Sequence, residues 1–224
     1  MTWVKICGIT NLEDALTAVE AGADALGFVF YGKSLRNIDP GMVGQIVAKV
    51  PARIEKVGVF VNEAAERIDQ SVQQAGLTAV QLCGKESVAG FIKYSRVQWD
   101  INHRPKVIFV IPAGALSEGL FFIGDELKNA LHALLIDSVS AAEPGGTGKR
   151  FDWEKAQEMI EMLGLTIPTI VAGGLTPENV ADALERLHPW GVDVSSGVES
   201  KPGKKDPEKV RTFVSAVREA ERLI

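Results

Sequence analysis

The chain has 224 residues, enough for one sizeable hydrophobic core and short for two. Hydrophobic residues make up 46% and charged residues 24%, values that exclude a disordered or fibrous chain. A net charge of −5 with no basic tract argues against a nucleic-acid partner, and no apolar run is long enough to span a bilayer.

The opening M-T-W-V-K-I-C-G lacks the architecture of a signal peptide, and two cysteines do not make a disulfide framework, so a reducing cytoplasm is expected. Residues 3–7 predict a first, apolar strand. Asn11 is placed to cap a helix with Leu12, Ala15, Leu16 and Val19 as its apolar positions. A second strand follows at 25–30, then a polar loop at 31–39, and Pro40 opens a helix with Val43, Ile46, Val47 and Val50 on one side. The third strand covers 54–61, and Asn62 reads as the cap of a helix carrying Ala65, Ile68, Val72 and Ala75. The fourth strand is 79–82, with a helix over 86–94. Residues 95–106 give no assignable element; 107–111 is the fifth strand, followed by a Gly-rich stretch and a helix near 125–131. Strand six is 133–136, a loop runs over 138–150, and a helix covers 153–163. Strand seven is 169–172 with a helix over 177–187; strand eight is 192–194; a helix over 207–223 buries Val210, Phe213, Val214 and Val217.

Near-continuous apolar strands alternating with amphipathic helices mean a parallel sheet covered by helices. Eight such units predict an α/β fold, a single-domain (β/α)8 TIM barrel over residues 1–224, with a doubly wound open sheet as the alternative.

In such a barrel the working residues sit at the C-terminal ends of strands. Cys7 ends strand one and Asp137 ends strand six. Cys7 reads as a working thiol or as a small buried hydrophobe, and Asp137 as a working acid or as the cap of the next turn. Alternate residues of a strand share a face, so Lys5 lies below Cys7. Asp193 is charged within a strand that should be buried; strand eight neighbours strand one in a closed barrel, so Asp193 is expected to pair with Lys5. Arg36, in the loop after strand two, suits a carboxylate clamp or a solvated surface position.

Two stretches, I-V-A-G-G-L-T-P-E-N (170–179) and G-V-D-V-S-S-G-V-E (191–199), each end an apolar run in small residues and then open a helix. Thr176 suits the cap of the first and Pro177 its first position. Gly173, Gly174, Ser195, Ser196 and Gly197 can then present amides and hydroxyls to an anion, a phosphate being the usual tenant after strands seven and eight. G-G-T-G-K at 145–149, which includes Gly146, departs from a nucleotide P-loop, because Glu143 and Arg150 stand where Gly and Ser/Thr belong; it reads as a mobile loop over the mouth. No cluster has metal-ligand spacing, and His103, His132 and His188 fall outside the predicted mouth.

Together these motifs resemble the phosphoribosylanthranilate isomerase family, a barrel of tryptophan biosynthesis. The likeness covers nearly the whole chain: K-I-C-G-I-T (5–10), D-A-L-G-F-V-F-Y (24–31), K-S-x-R (33–36), V-G-V-F-V-N (57–62), V-Q-L-x-G (80–84), L-L-I-D (134–137), G-G-T-G-K, A-G-G-L-T-P-E-N-V (172–180) and D-V-S-S-G-V-E. The resemblance implies an Amadori rearrangement of N-(5-phospho-ribosyl)anthranilate to its 1-deoxyribulose 5-phosphate product. It implies Cys7 as general base, Asp137 as general acid, Arg36 as holder of the substrate carboxylate, and the A-G-G and S-S-G backbones as holders of the phosphate. Lys5, Gln81, Asp193 and Gly146 are expected to support them. No metal or organic cofactor is called for. The expected partner is the small-molecule substrate, with no nucleic acid or membrane, in a monomer or homodimer. The chain departs from the family at Cys83 and Lys85, where a His and an acid are usual, and at Leu35 and Asn37, where a Pro and an aromatic are usual. These changes read as drift at supporting positions or as altered substrate preference. A Cys7–Cys83 disulfide would disarm the base, and a reducing compartment opposes it. The rival barrels are less similar: the histidine-pathway isomerase has an aspartate on strand one, and indole-glycerol-phosphate synthase relies on lysines at the mouth. A non-catalytic ligand-binding barrel is the reading from a different class.

Overall fold

A strand buried at every position needs partners on both edges. Trp3–Cys7 (β1) is such a strand, and it pairs in parallel with Ala25–Val29 (β2) on one side and Gly191–Val194 (β8) on the other. Between these run Glu55–Val61 (β3), Ala79–Cys83 (β4), Lys106–Pro112 (β5), Ala133–Asp137 (β6) and Thr169–Ala172 (β7). Each is parallel to its neighbours, and the order β1 to β8 closes on itself. This computed structural model describes residues 1–83, 90–92, 104–112, 129–137, 157 and 167–223. It is the expected TIM barrel, and the open-sheet alternative is excluded by the β1–β8 pairing.

Helices Leu12–Ala21 (α1), Pro40–Val47 (α2), Ala65–Ala75 (α3), Val180–Leu187 (α4) and Pro207–Ala220 (α5) follow β1, β2, β3, β7 and β8. Residues 90–92 and Gln157 are helical, within the helices predicted over 86–94 and 153–163. The rest of those two helices, the loop with Gly146, Lys85, and most of the helix predicted near 125–131 lie outside the described residues.

Two hydrophobic layers follow from the strand period of two. Val4, Ile6, Leu26, Phe28, Leu82 and Leu134 pack outward against helix residues such as Ala15, Val43 and Phe213. Trp3, Ala25, Val57, Ala79, Leu135 and Ile170 pack inward. Lys5 belongs to the inward set, because its Nζ donates to Gln81 Oε1 of β4 at 2.9 Å, and a contact between strands that are not neighbours must cross the lumen. The same ammonium pairs with Asp193 of β8 at 2.8 Å, as the sequence predicts. At the opposite, N-terminal end, Trp3 stacks on Trp190 at 5.3 Å, and His132 meets Trp190 edge-on at 5.7 Å.

Four local expectations are corrected. Leu16 is exposed, whereas Asp14 and Thr17 are buried in its place. The helix turns this way because the Asp14 carboxylate accepts from Asn11 Nδ2, Lys204 Nζ and the Lys205 N–H. Asn62 does not cap a helix: it takes a left-handed φ of 51°, its N–H extends the sheet to the Cys83 carbonyl, and α3 begins after Ala64 with no side-chain cap. The helix after β7 begins at Val180, not Pro177, because Asn179 folds back to accept from the Thr176 N–H and donate to the Gly174 carbonyl; Thr176 Oγ1 still accepts from the Glu178 N–H. β8 opens into a three-residue 3-10 turn (Ser196–Val198) and then a hairpin of Glu199–Lys201 (β9) and Lys204–Lys205 (β10), which the sequence reading missed.

Removing one partner of a buried pair leaves an uncompensated charge, which costs about 3–5 kcal/mol, whereas removing both costs far less. Lys5→Met is therefore expected to lower the urea-unfolding free energy by about 3 kcal/mol or more, and Lys5→Met with Asp193→Leu to regain most of it. An unchanged midpoint in the single variant would show that the pair holds nothing together.

Candidate active site

All eight strands run the same way, so their C-terminal ends share one mouth. Cys7 and Asp137 are the last residues of β1 and β6. Cys7 shares the inward face with Lys5, and Asp137 shares it with Leu135. The register places Cys7 beside Gly27 and Asp137 between Pro112 and Ala172. Cys7 and Asp137 thus both lie on the inward face at the C-terminal mouth of the barrel.

Below them lies a line of polar contacts across the lumen: Asp193 to Lys5, Lys5 to Gln81, and Gln81 Nε2 to Cys83 Sγ at 3.7 Å. Burial would deprotonate Lys5, but the Asp193 carboxylate outweighs it and pushes its pKa up, so it stays an ammonium. Burial pushes the Cys7 thiol up, and the Lys5 charge pulls it back only in part. Cys7 is therefore a neutral thiol at rest. Its neighbours at the mouth are Val29, Val59, Tyr31 and Cys83, and neither cysteine forms a disulfide.

Two glycines explain how these parts approach so closely. A Cβ on Gly27 would stand 2.6 Å from Cys7 Sγ and 2.9 Å from Lys5 Cε. Gly8 has φ +78°, and a Cβ there would stand 2.5 Å from Arg36 Cδ and 3.0 Å from Ser195 Oγ. The turn after Cys7 thus gathers the β2 loop and the β8 loop over one bare backbone position.

Arg36 is neither solvated nor loose. Its Nε and Nη2 donate to the two carboxylate oxygens of Glu199 at 2.9 and 2.7 Å. Glu199 also accepts from the buried Lys205 Nζ at 3.0 Å, which in turn donates to the Ser195 carbonyl at 3.1 Å. Burial would raise the Glu199 pKa, but Arg36 and Lys205 hold it below the usual carboxylate range. Sequence reasoning assigned no role to Glu199 or Lys205. The available signals were an acid closing the small-residue run, a Pro202-Gly203 turn, and the basic pair Lys204 and Lys205.

The β7 and β8 loops come together as well. Gly173 and Gly174 take left-handed φ values of 89° and 65° after β7, and a Cβ on Gly197 would overlap the Leu175 carbonyl, so the β7 and β8 loops touch. Among the described residues, no carbonyl takes the N–H groups of Gly174, Ser196 and Gly197. Leu35 is exposed on the β2 loop, and Asn37 bridges to Val29. Among the described residues no group of three His, Cys, Asp or Glu side chains could hold a metal ion. None of the described helices is long and apolar enough to cross a membrane.

A family model described as N-(5'-phosphoribosyl)anthranilate (PRA) isomerase matches residues 4–216. The chain belongs to this family. A curated relative, N-(5'-phosphoribosyl)anthranilate isomerase of Trichlorobacter lovleyi, is 45% identical over 220 residues, covering 98% of this chain and 100% of the relative. Among solved structures, phosphoribosyl anthranilate isomerase of Thermotoga maritima superposes with a TM-score of 0.82 at 39% identity, over 98% of this chain and 100% of that one. A phosphoribosyl anthranilate isomerase in complex with reduced 1-(o-carboxyphenylamino)-1-deoxyribulose 5-phosphate superposes with a TM-score of 0.79 at 36% identity, over 98% of this chain and 100% of that one. Membership of this family makes the chain an isomerase of tryptophan biosynthesis.

A side chain at Gly8 meets two obstacles at once, the positive φ and the Arg36 stem. Backbone strain of this kind costs about 1–3 kcal/mol. Gly8→Ala is expected to lower kcat/KM by about tenfold or more, by displacing Arg36 and Ser195, with a smaller loss of thermal stability. Wild-type kinetics in this variant would mean that the three loops do not depend on their close approach.

Proposed function

We propose that Cys7 and Asp137 are the base and acid of the family's rearrangement of N-(5'-phosphoribosyl)anthranilate to 1-(2-carboxyphenylamino)-1-deoxyribulose 5-phosphate. The observation that carries this reading is the placement of a neutral thiol and a carboxyl on the inward face of one barrel mouth, beside an arginine and two touching glycine-rich loops.

The substrate phosphate sits on the amides of Gly173, Gly174, Ser196 and Gly197 and on the Ser195 hydroxyl. The anthranilate carboxylate sits on Arg36. The acid form of Asp137 gives its proton to the ribose ring oxygen. The C1–O bond breaks, and the nitrogen lone pair forms an iminium at C1. That positive charge acidifies the C2 hydrogen, and the base form of Cys7 removes it. The C–H pair becomes a C1=C2 bond and yields an enolamine, which takes a proton at C1, loses one from the C2 hydroxyl, and becomes the ketone. The raised thiol pKa makes the thiolate a strong base that is sparsely populated at rest. The iminium supplies the charge the reaction needs, so this route draws on no metal and no organic cofactor.

The site is drawn from one chain, which fits a monomer or a homodimer equally, and we place the enzyme in the cytoplasm. Cys83, beside Gln81 on the inward face, and Leu35 and Asn37 on the β2 loop are supporting positions at the rim, so we read their departures from the family as tolerated.

Loss of substrate fluorescence measures turnover directly. Cys7→Ser and Asp137→Asn are each expected to lower kcat by about 10²-fold or more while the fold is retained. Because Cys7 works deprotonated and its pKa is raised, kcat/KM should climb as pH rises towards the thiol pKa, and Cys7→Ser should remove that limb. Full turnover in either variant would remove that residue from the mechanism.

A further inference from the structure

The site explains why Arg36 is present but not what holds it at the right place. A guanidinium has five N–H groups arranged along three edges. Arg36 spends its Nε–Nη2 edge on Glu199, and among the described residues no other acceptor meets its side chain. The end-on edge, formed by Nη1 and the second Nη2 hydrogen, is thus left for another carboxylate, and one arginine can hold Glu199 and a ligand at the same time.

Glu199 is itself fixed. Its side chain is 4% exposed, and besides Arg36 it accepts from Lys205 Nζ and from the Gly203 N–H at 3.3 Å. Lys205 is fully buried and spans from this carboxylate to the Ser195 carbonyl, at the head of the β8 anion loop. The chain of contacts therefore runs from the Arg36 clamp through Glu199 and Lys205 to the phosphate loop. It contains two cations and one anion, so it carries one positive charge in excess in a largely buried place. An uncompensated buried charge is costly. Burial accordingly pushes the Lys205 pKa down, with Glu199 offsetting it only in part. A carboxylate on the open edge of Arg36 offsets that excess.

On the reading of function given above, we infer that Glu199 and Lys205 are positioning residues, a strut that sets the distance between the carboxylate clamp and the phosphate loop, so that the enzyme selects substrates carrying two anionic groups at that span. Neither residue touches the reacting atoms. Glu199 acts through Arg36, and Lys205 acts through Glu199 and Ser195.

The test compares Glu199→Gln, Glu199→Asp and Lys205→Met with wild type, measuring kcat and KM for phosphoribosylanthranilate and the inhibition constant of inorganic phosphate, which reports the phosphate loop alone. Glu199→Gln is expected to raise KM by about tenfold, to leave kcat within about threefold, and to leave phosphate inhibition unchanged. Glu199→Asp, which keeps the charge at a shorter reach, is expected to lie between and serves where Glu199→Gln does not fold. Lys205→Met is expected to raise KM and the phosphate constant together. Placed in an Arg36→Lys background, Glu199→Gln should add little further loss, because its effect passes through the arginine. Unchanged KM in both Glu199 variants, or a full additional loss in the Arg36→Lys background, would overturn the inference. Absence of turnover in wild type would overturn the assigned reaction instead, and the same assay reports it.

Discussion

The Lys5–Asp193 ion pair is the contact on which the rest of the molecule depends. It lies across the seam where the first strand meets the last, and closing that seam turns an open sheet into a barrel. A lysine inside a protein core needs an anion, and the last strand supplies Asp193 in register with it. The lumen is built around the pair. Ala25, Ala79 and Ala133 line the inward layer and leave room for the lysine stem, while Trp3 fills the wide end below. Gln81 takes a second hydrogen of the ammonium from the far wall, so one side chain bonds to two strands besides its own.

Because Lys5 fills the lumen, the residue two places on is lifted to the mouth. Cys7 owes its position to that, and Gly27 and Gly8 owe their identity to it. Beside Gly27 the sulfur and the lysine stem pass closer than a methyl group allows, and over Gly8 the arginine and the serine do the same. Three loops from β1, β2 and β8 converge on a backbone with no side chain in the way. The arginine and the β8 loop are thereby anchored deep in the scaffold, the arginine by a buried carboxylate and the loop by a buried lysine.

The barrel was legible in the sequence because its strands are short apolar runs whose alternation with amphipathic helices repeats down the chain. The Lys5–Asp193 pair was legible too, since closure makes strands one and eight neighbours and a buried charge demands a partner. Features decided by distant polar groups were not legible. Leu16 looked like the apolar stripe of α1, but Asp14 faces inward because Lys204 and Lys205, far along the chain, take its carboxylate. The β9–β10 hairpin carries a turn signal, Pro202-Gly203, but its strands of three and two residues are too short to show a period, so Glu199 and Lys205 fell in a segment read for another purpose. Asn62 and Thr176 are good caps by residue type, yet a sheet bond to Cys83 and the fold-back of Asn179 move the helix starts downstream.

On the proposed mechanism, the choice of a thiol as base follows from the same electrostatics. An unpaired ammonium beside Cys7 would stabilise the thiolate permanently, and a permanent thiolate is both a weaker base and an easier target for oxidation. Asp193 prevents this. It neutralises most of the Lys5 charge, and burial then keeps Cys7 protonated when the site is empty. In the proposed reaction the sulfur becomes a useful base only once an iminium forms within reach and supplies the positive charge that the paired lysine withholds. On that proposal, the pair that closes the barrel also confines reactivity to the moment when substrate is bound.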